Sequence, residues 1–221
     1  MNNCIETIEY RNQTIKIYPD EDCESPREWD NLGTMICFHK RYNLGDKHNL
    51  DSDDFSGWEE MYTYLVKKMK AYIVCPLYLY DHSGLRIKIG NFYGLLPQGH
   101  AEFDSGQIGF IYVTAEKIHK EYNVKRITKP IREKVIKILN SEVNVYDDYL
   151  TGNVYGYIAE TTDGDNIDSC WGFIGDTDYM ISEAKSAIDW YIKNKCKVHC
   201  EKLKMQIKSH VELIYRKPLI I

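Results

Sequence analysis

The fold class is decided by the segment Val154–Ile174, VYGYIAETTDGDNIDSCWGFI. It contains two runs of strand-forming residues, Val154–Glu160 and Asp168–Ile174, and the turn residues Asp163–Asn166 lie between them. Aromatic and β-branched residues on both sides of an Asp-, Gly- and Asn-rich turn are typical of a β-hairpin. Because a hairpin joins neighbouring strands of opposite direction, this segment predicts antiparallel sheet.

A second pair of strand-like runs leads to the same conclusion. Tyr72–Tyr80 (YIVCPLYLY) is predicted to be a buried strand, Asp81–Gly84 its turn and Leu85–Ile89 the return strand. Pro76 indicates a β-bulge or a sheet edge, because proline has no N–H to donate to a neighbouring strand. Three further runs have strand length and composition: Thr14–Tyr18, which ends at Pro19, Thr34–Phe38, and Gln107–Val113, which follows a glycine-rich loop at Gly90–Gly106.

Helices are predicted between these strands from apolar residues at helical spacing, with Thr114 as one N-cap and Gly152 as one stop signal. The predicted helices cover residues 58–70, 114–122, 128–152 and 178 to beyond 195. Strands joined by short connections, with helices interspersed, predict an α+β fold with a mainly antiparallel or mixed sheet. We expect one domain over residues 1–195 and a basic C-terminal helical extension over residues 196–221.

Composition places the chain among folded proteins of the cytoplasm. A length of 221 residues and a hydrophobic content of 43% suffice for a core without disulfide bonds. The seven cysteines are scattered, which favours reduced thiols. No apolar run approaches the ~18 residues of a membrane span, so we expect no membrane partner.

Charge is unevenly distributed along the chain. Residues 1–60 carry 14 acidic and 6 basic side chains, whereas the chain from Lys185 onward carries 9 basic and 3 acidic ones. The predicted final helix is therefore a candidate for nucleic-acid binding, with Trp190 and Tyr191 available for stacking on bases. Its basic residues are Lys185, Lys193, Lys195, Lys197, Lys202, Lys204 and Lys208.

An irregular segment lies between two of the predicted strands. Pro19–Asp46 (PDEDCESPREWDNLGTMICFHKRYNLGD) follows neither a helical nor a strand period, and Ser25 is positioned to cap a single turn that begins at Pro26. Long irregular segments on a rigid scaffold commonly carry recognition residues. This segment is therefore the first candidate for a binding surface.

Catalytic and metal signatures are incomplete throughout the sequence. The acidic residues between positions 20 and 30 lack the glycine and closing glutamate of an EF-hand loop, and His82 has no partner at zinc-ligand spacing. His82, His100 and Cys170 fit no known nucleophile motif. We expect no metal and no cofactor. The incomplete motifs favour a protein that is not an enzyme, and the possibility of catalytic activity stays open.

Several blocks resemble one group of proteins. They are SPREWDNLGTMICFHKRYNLGD at Ser25–Asp46, DSGQIGFIYVT at Asp104–Thr114, YLTG at Tyr149–Gly152 with VYG at Val154–Gly156, and DSCWGF at Asp168–Phe173. They are similar to small accessory proteins carried by phages and conjugative elements of low-GC Gram-positive bacteria, and PREWDNLGTM is the most specific block. The resemblance implies a counter-defence protein in the cytoplasm of a bacterial host, of the anti-CRISPR or antirestriction type. It supplies no catalytic residues.

Two hypotheses about function follow. The first is an inhibitor that binds a host defence complex directly, with Arg27, Trp29 and Arg41 as anchors because Trp and Arg dominate interface hot spots. Its predicted contact residues are Arg27, Trp29, Asp30, Asn31, Arg41, Asp104, Ser105 and Gln107.

The second hypothesis is an enzyme or small-ligand binder that acts on a nucleotide or nucleic-acid product. Its polar pocket would contain Asp30, Asn31, His82, Asp104, Ser105 and Gln107. Target, host species and oligomeric state stay open.

Overall fold

A computed structural model describes residues 3–82, 84–96 and 99–209, together with residues 212 and 215; of Glu102 only the backbone is described. Ser83 of the predicted Asp81–Gly84 turn, two residues of the glycine-rich loop and most of the chain after residue 209 lie outside the described residues. The chain forms two compact units. We call residues 1–23 with 154–221 the terminal unit, and residues 24–153 the central unit.

The strands in chain order are β1 (Glu6–Tyr10), β2 (Gln13–Pro19), β3 (Thr34–Cys37), β4 (Ala71–Asp81), β5 (Leu85–Ile89), β6 (Ser105–Thr114), β7 (Val154–Glu160) and β8 (Asn166–Ile174). The helices are α1 (Trp58–Lys67), α2 (His100–Phe103), α3 (Ala115–Tyr122), α4 (Lys129–Leu150) and α5 (Thr177–Lys208). All the strand pairs are antiparallel. The predicted α+β class with antiparallel sheet is therefore confirmed.

The terminal unit contains the sheet β1-β2-β7-β8 and the helix α5. Alternate residues of β2 and β7 point to one face of the sheet, where they pack against a stripe of α5 residues spaced four apart. This core contains Ile15, Ile17, Tyr157, Ala159, Met180, Ala184 and Ile188. The predicted hairpin is confirmed as β7–β8, although its turn lies at Thr161–Asp165, slightly earlier than predicted.

Sequence reasoning missed strand β1. It pairs with β2 through the two-residue turn Arg11–Asn12, in which both residues have positive φ, at 51° and 59°. Two consecutive positive φ angles define the type I′ hairpin turn, which usually contains Asn-Gly or Asp-Gly. Because an Arg-Asn pair occupies this turn, the usual signal is absent from the sequence.

The central unit contains the sheet β3-β6-β4-β5 with a helix on each face. Ile111 and Val113 of β6 pack in a core with Val135 and Leu139 of α4. The alternate β6 residues belong to a second core on the opposite face, which includes Met61 and Leu65 of α1. The alternation of side chains along β6 thus separates the two cores.

Local capping signals were predicted correctly in this unit. The Ser25 hydroxyl accepts a hydrogen bond from the Arg27 N–H at the start of a 3-10 turn that begins at Pro26, and the Thr114 hydroxyl accepts one from the Lys117 N–H. Pro76 lies one residue from a register shift at Leu77/Tyr78, so the predicted bulge is present. Strand β4 lies between β6 and β5, but its pairing with β5 covers only Leu77–Asp81, so Pro76 lies just outside the part of β4 that has a strand on both sides.

Helix α5 runs without interruption past residue 196. The division into one domain over 1–195 and an extension over 196–221 stays a prediction. Among the described residues, every helix is too short or too polar to cross a bilayer.

Gly109 offers a sharp test of the central sheet. A Cβ built at this position would lie 1.9 Å from the Ile36 carbonyl oxygen, whereas one built at Gly106 in the same strand would meet nothing within 4 Å. We expect Gly109→Ala to lower the free energy of unfolding by about 1–3 kcal/mol or more, because backbone cannot move aside cheaply. The matched control Gly106→Ala should change it by less than about 1 kcal/mol. Urea unfolding followed by circular dichroism measures both, and equal effects would contradict the close β3–β6 packing.

Candidate functional site

Arg27, the first predicted anchor, lies inside the central unit with only 4% of its side chain exposed. Its Nε and one terminal nitrogen donate to the two carboxylate oxygens of Asp46, each at 2.8 Å. The same terminal nitrogen donates to the Gly33 carbonyl at 2.9 Å, and the other reaches the Glu142 carboxylate at 3.5 Å. The guanidinium therefore serves contacts within the protein and presents almost no surface to a partner.

Glu142 on α4 connects the irregular segment to the core. Its carboxylate accepts hydrogen bonds from the backbone N–H groups of Leu32 and Gly33, at 2.7 Å and 3.0 Å. A Cβ at Gly33 would lie less than 3 Å from Leu139, Ile111 and Glu142, so the backbone approaches the helix as closely as glycine allows. Asp46 in turn accepts from the Met35 N–H at 2.8 Å. We call Arg27, Asp46 and Glu142 the buried ion-pair network.

The pKa values in this region follow from burial and from the ion pairs. Burial opposes the charge of Arg27, yet the hydrogen bonds and negative charge of Asp46, together with Glu142, raise the guanidinium pKa above its usual value. Burial raises the pKa of the Cys37 thiol to about 12. Cys37 is therefore a neutral core thiol at physiological pH, without the thiolate character that catalysis needs.

Three other predicted residues lie on the loop after Arg27. Trp29 is 49% exposed and Asp30 is exposed. The Asn31 side-chain amide donates to the backbone carbonyls of Pro26 and Trp29, and the Asn31 backbone carbonyl accepts a hydrogen bond from the Lys117 ammonium of α3. This loop thus lies beside α3, at the end of the sheet where β6 finishes.

The remaining predicted residues lie at the opposite end of β6. Arg41 forms an ion pair with Asp81, and the Asp81 N–H donates to the Asp104 carbonyl at 3.0 Å. The Ser105 hydroxyl donates to the Ala101 carbonyl, and the Gln107 amide donates to the Gly109 carbonyl at 3.3 Å. The structure brings Arg41, Asp104 and Ser105 together and leaves Trp29, Asp30 and Asn31 elsewhere.

The predicted six-residue polar pocket is not assembled. Asn31 lies beside α3, which follows the last residue of β6, whereas Asp104 immediately precedes the first residue of that strand. Ten residues of strand at ~3.3 Å each separate the two positions by about 30 Å. His82, Asp104 and Ser105 remain close to one another, and Asp30 with Asn31 cannot join them.

Two histidines that the sequence left without partners meet at Asp104. The His82 Nδ1 lies 3.2 Å from Asp104 Oδ2, and the His100 Nδ1 lies 3.7 Å from the same oxygen. The two imidazole rings are 4.9 Å apart between centroids, and the Tyr80 hydroxyl lies 3.0 Å from the His100 Nδ1. We call His82, His100 and Asp104 the histidine–aspartate cluster.

Two exposed aromatic residues are chain neighbours of residues at this end of β6. Phe103, directly before Asp104, is 86% exposed, the largest exposed fraction among the large apolar side chains of the described residues. Tyr42 is 38% exposed, stacks on His39 and lies under the guanidinium of Arg41. We call Phe103, Tyr42, Arg41 and the histidine–aspartate cluster the sheet-end surface. Sequence reasoning did not select Phe103, and the available signal was its position directly before the predicted contact residues Asp104 and Ser105.

The basic residues predicted for nucleic-acid binding are on α5. Lys193, Lys197 and Lys204 recur at intervals of four and seven residues, which places them on one helix face, and Trp190 lies one turn before them. Trp190 is 68% exposed. Tyr191 has the Lys195 ammonium 5.6 Å from its ring centroid. The face is basic and carries one exposed aromatic ring.

Comparison of the chain with protein-family models, with curated proteins and with solved structures found no match.

The buried ion-pair network predicts a large difference between two arginines. Arg27→Ala should lower the free energy of unfolding by about 3–5 kcal/mol, because it leaves the Asp46 and Glu142 carboxylates without their cation. Arg41→Ala removes an ion pair whose arginine is 69% exposed, and it should change stability by at most about 1 kcal/mol. Chemical denaturation of both variants measures the difference. A loss of about 1 kcal/mol or less for Arg27→Ala would show that the network does not stabilise the fold.

Proposed function

We propose that this protein is a non-enzymatic binding protein that inhibits a host defence complex, and that the sheet-end surface is its contact site. The observation that carries the proposal is the 86% exposure of Phe103, the largest among the large apolar side chains of the described residues, in the connection between β5 and β6 that also exposes Tyr93 and Leu95. An aromatic side chain left in water gains most when a partner buries it, since a large apolar side chain contributes about 1.5–3 kcal/mol on burial.

The surroundings of Phe103 have the composition of an interface hot spot. Tyr42 adds a second aromatic ring, and Arg41 is fixed by its ion pair with Asp81 and by its position over Tyr42. Aromatic and arginine side chains surrounded by polar groups are enriched at the centres of protein interfaces. Because Arg41 is already held in place, binding would cost less side-chain entropy.

The kind of partner is taken from the resemblance alone. The blocks that resemble accessory proteins of phages and conjugative elements imply a counter-defence role of the anti-CRISPR or antirestriction type. Such inhibitors commonly act by direct binding, which agrees with a surface that offers anchors. Under this proposal the site of action is the cytoplasm of the bacterial host.

The second candidate is a small-ligand binder or enzyme that acts on a nucleotide or nucleic-acid product. It is favoured by the histidine–aspartate cluster, in which imidazole nitrogens converge on one carboxylate. Its site would be reduced to His82, Asp104, Ser105 and Gln107, because β6 separates these residues from Asp30 and Asn31. Nucleotides would then raise the melting temperature of the protein, which a purely protein-binding surface does not require.

Phe103→Ala is the decisive variant for the proposed function. Loss of a hot-spot side chain costs about 2 kcal/mol or more, so we expect binding to the captured defence complex to weaken about 30-fold. Two quantities are measured. The first is the efficiency with which a phage or plasmid enters a Gram-positive host that has active CRISPR or restriction systems and produces the protein. The second is the affinity of the purified protein for the defence complex that it captures.

Two matched controls accompany this variant. Trp29→Ala removes a half-exposed aromatic residue at the other end of β6, and Trp190→Ala removes an exposed one from α5; both should retain protection. Loss of protection with Trp29→Ala alone would move the contact site to the loop after Arg27. Failure to protect against any defence system, combined with stabilisation by nucleotides, would refute the proposal and favour the second candidate.

A further inference from the structure

We propose that His82, His100 and Asp104 form a binding site for a divalent transition-metal ion of the zinc type. One ligand atom from each residue lies within 4.8 Å of the other two. The inference rests on this geometry and does not depend on the proposed function. Two imidazoles and one carboxylate constitute the three-ligand set that zinc sites with an open coordination position use.

The distances agree with such a site. Zinc binds nitrogen and oxygen ligands at about 2.0–2.2 Å, so two ligands of a tetrahedral ion lie about 3.4 Å apart. The Asp104 Oδ2 lies 3.2 Å from the His82 Nδ1 and 3.7 Å from the His100 Nδ1. The ligand nitrogens of the two imidazoles lie within 4.8 Å of each other, so ion binding requires the two rings to approach, and the 50% exposed His82 side chain has solvent on one side in which to adjust.

The backbone holds the three residues in place before any ion arrives. The pairing of β4 with β6 extends to Tyr80 and Ser105, and the Asp81 N–H donates to the Asp104 carbonyl. His82 directly follows β4 and Asp104 directly precedes β6, so both residues adjoin the hydrogen-bonded strands. His100 is four residues before Asp104 across the single turn of α2, a spacing that places both side chains on one side. Binding therefore needs little ordering of the chain.

The surroundings leave room for a fourth ligand. The side chains of His100 and Asp104 are 35% and 31% exposed, so water reaches the cluster. The Tyr80 hydroxyl, now 3.0 Å from the His100 Nδ1, would be released when that nitrogen binds the ion, and it would then hydrogen-bond a metal-bound water.

The ligand set also selects the class of ion. Imidazole nitrogen suits zinc, nickel, copper and iron, whereas calcium and magnesium require sites built mainly from oxygen. The cluster supplies two nitrogens and one carboxylate, and it contains no thiol. This composition distinguishes it from Cys196 and Cys200, which share a face of α5 and would give a thiolate signature.

The test is titration of the full-length, metal-stripped protein with Zn²⁺ alone, in a Cys196→Ser/Cys200→Ser background that removes the thiol pair on α5. A chromophoric chelator that competes for the ion gives the affinity. We expect one Zn²⁺ per chain and a rise in melting temperature. His82→Ala and Asp104→Asn should each weaken binding at least about 100-fold, since each removes a direct ligand and loss of an outer-shell partner alone costs 10–100-fold.

His39→Ala is the matched control, because His39 lies on the same surface and outside the cluster; it should leave the affinity within about twofold. His82→Gln serves as a second variant, and circular dichroism shows whether each variant is folded. A Co²⁺ spectrum free of thiolate charge-transfer bands in the wild-type chain would support the site. Absence of stoichiometric binding, equal affinity in His82→Ala and wild type, or binding that disappears with the two cysteines would overturn it.

Discussion

The structure of the central unit depends on one buried cation. The Arg27 guanidinium is compensated by Asp46 at 2.8 Å and by Glu142 on α4, while those carboxylates also accept backbone N–H groups of the segment that leads into β3. A buried charge without partners is too costly to keep, so all three residues must meet whenever the unit folds. Their meeting fixes the path of an irregular segment that has no regular hydrogen-bond ladder of its own.

The buried ion-pair network accounts for several residues of the block PREWDNLGTM. In PREWDNLGTM, Pro26 starts the turn, Arg27 forms the network, Gly33 permits close approach to α4 and Met35 fills the core. Only Trp29 and its neighbours on this loop are left for contact with a partner. Because most residues of this block serve packing inside the unit, the block does not by itself identify a binding surface, and function has to be argued from the sheet-end surface.

Local signals were predicted from the sequence where a short range of residues decides the structure. The β7–β8 hairpin and the Thr114 cap depend on neighbours within a few positions, and both are present. Strand β1 was missed because its turn, Arg11–Asn12, adopts positive φ angles without the glycine that usually marks such a turn in the sequence. The interpretation of Arg27 as an anchor rested on residue type, which cannot reveal whether an arginine is buried.

The sequence by itself determined the α+β class, the antiparallel pairing and most element positions, because hydrophobic periodicity and turn chemistry act over short distances. It did not determine the histidine–aspartate cluster. His82 and His100 are 18 positions apart and match no ligand spacing; they meet because β4 pairs with β6, which brings the end of one strand beside the start of the other. Only the tertiary structure decided which polar residues converge and which apolar ones stay in water, since both depend on contacts between segments that are distant in the chain.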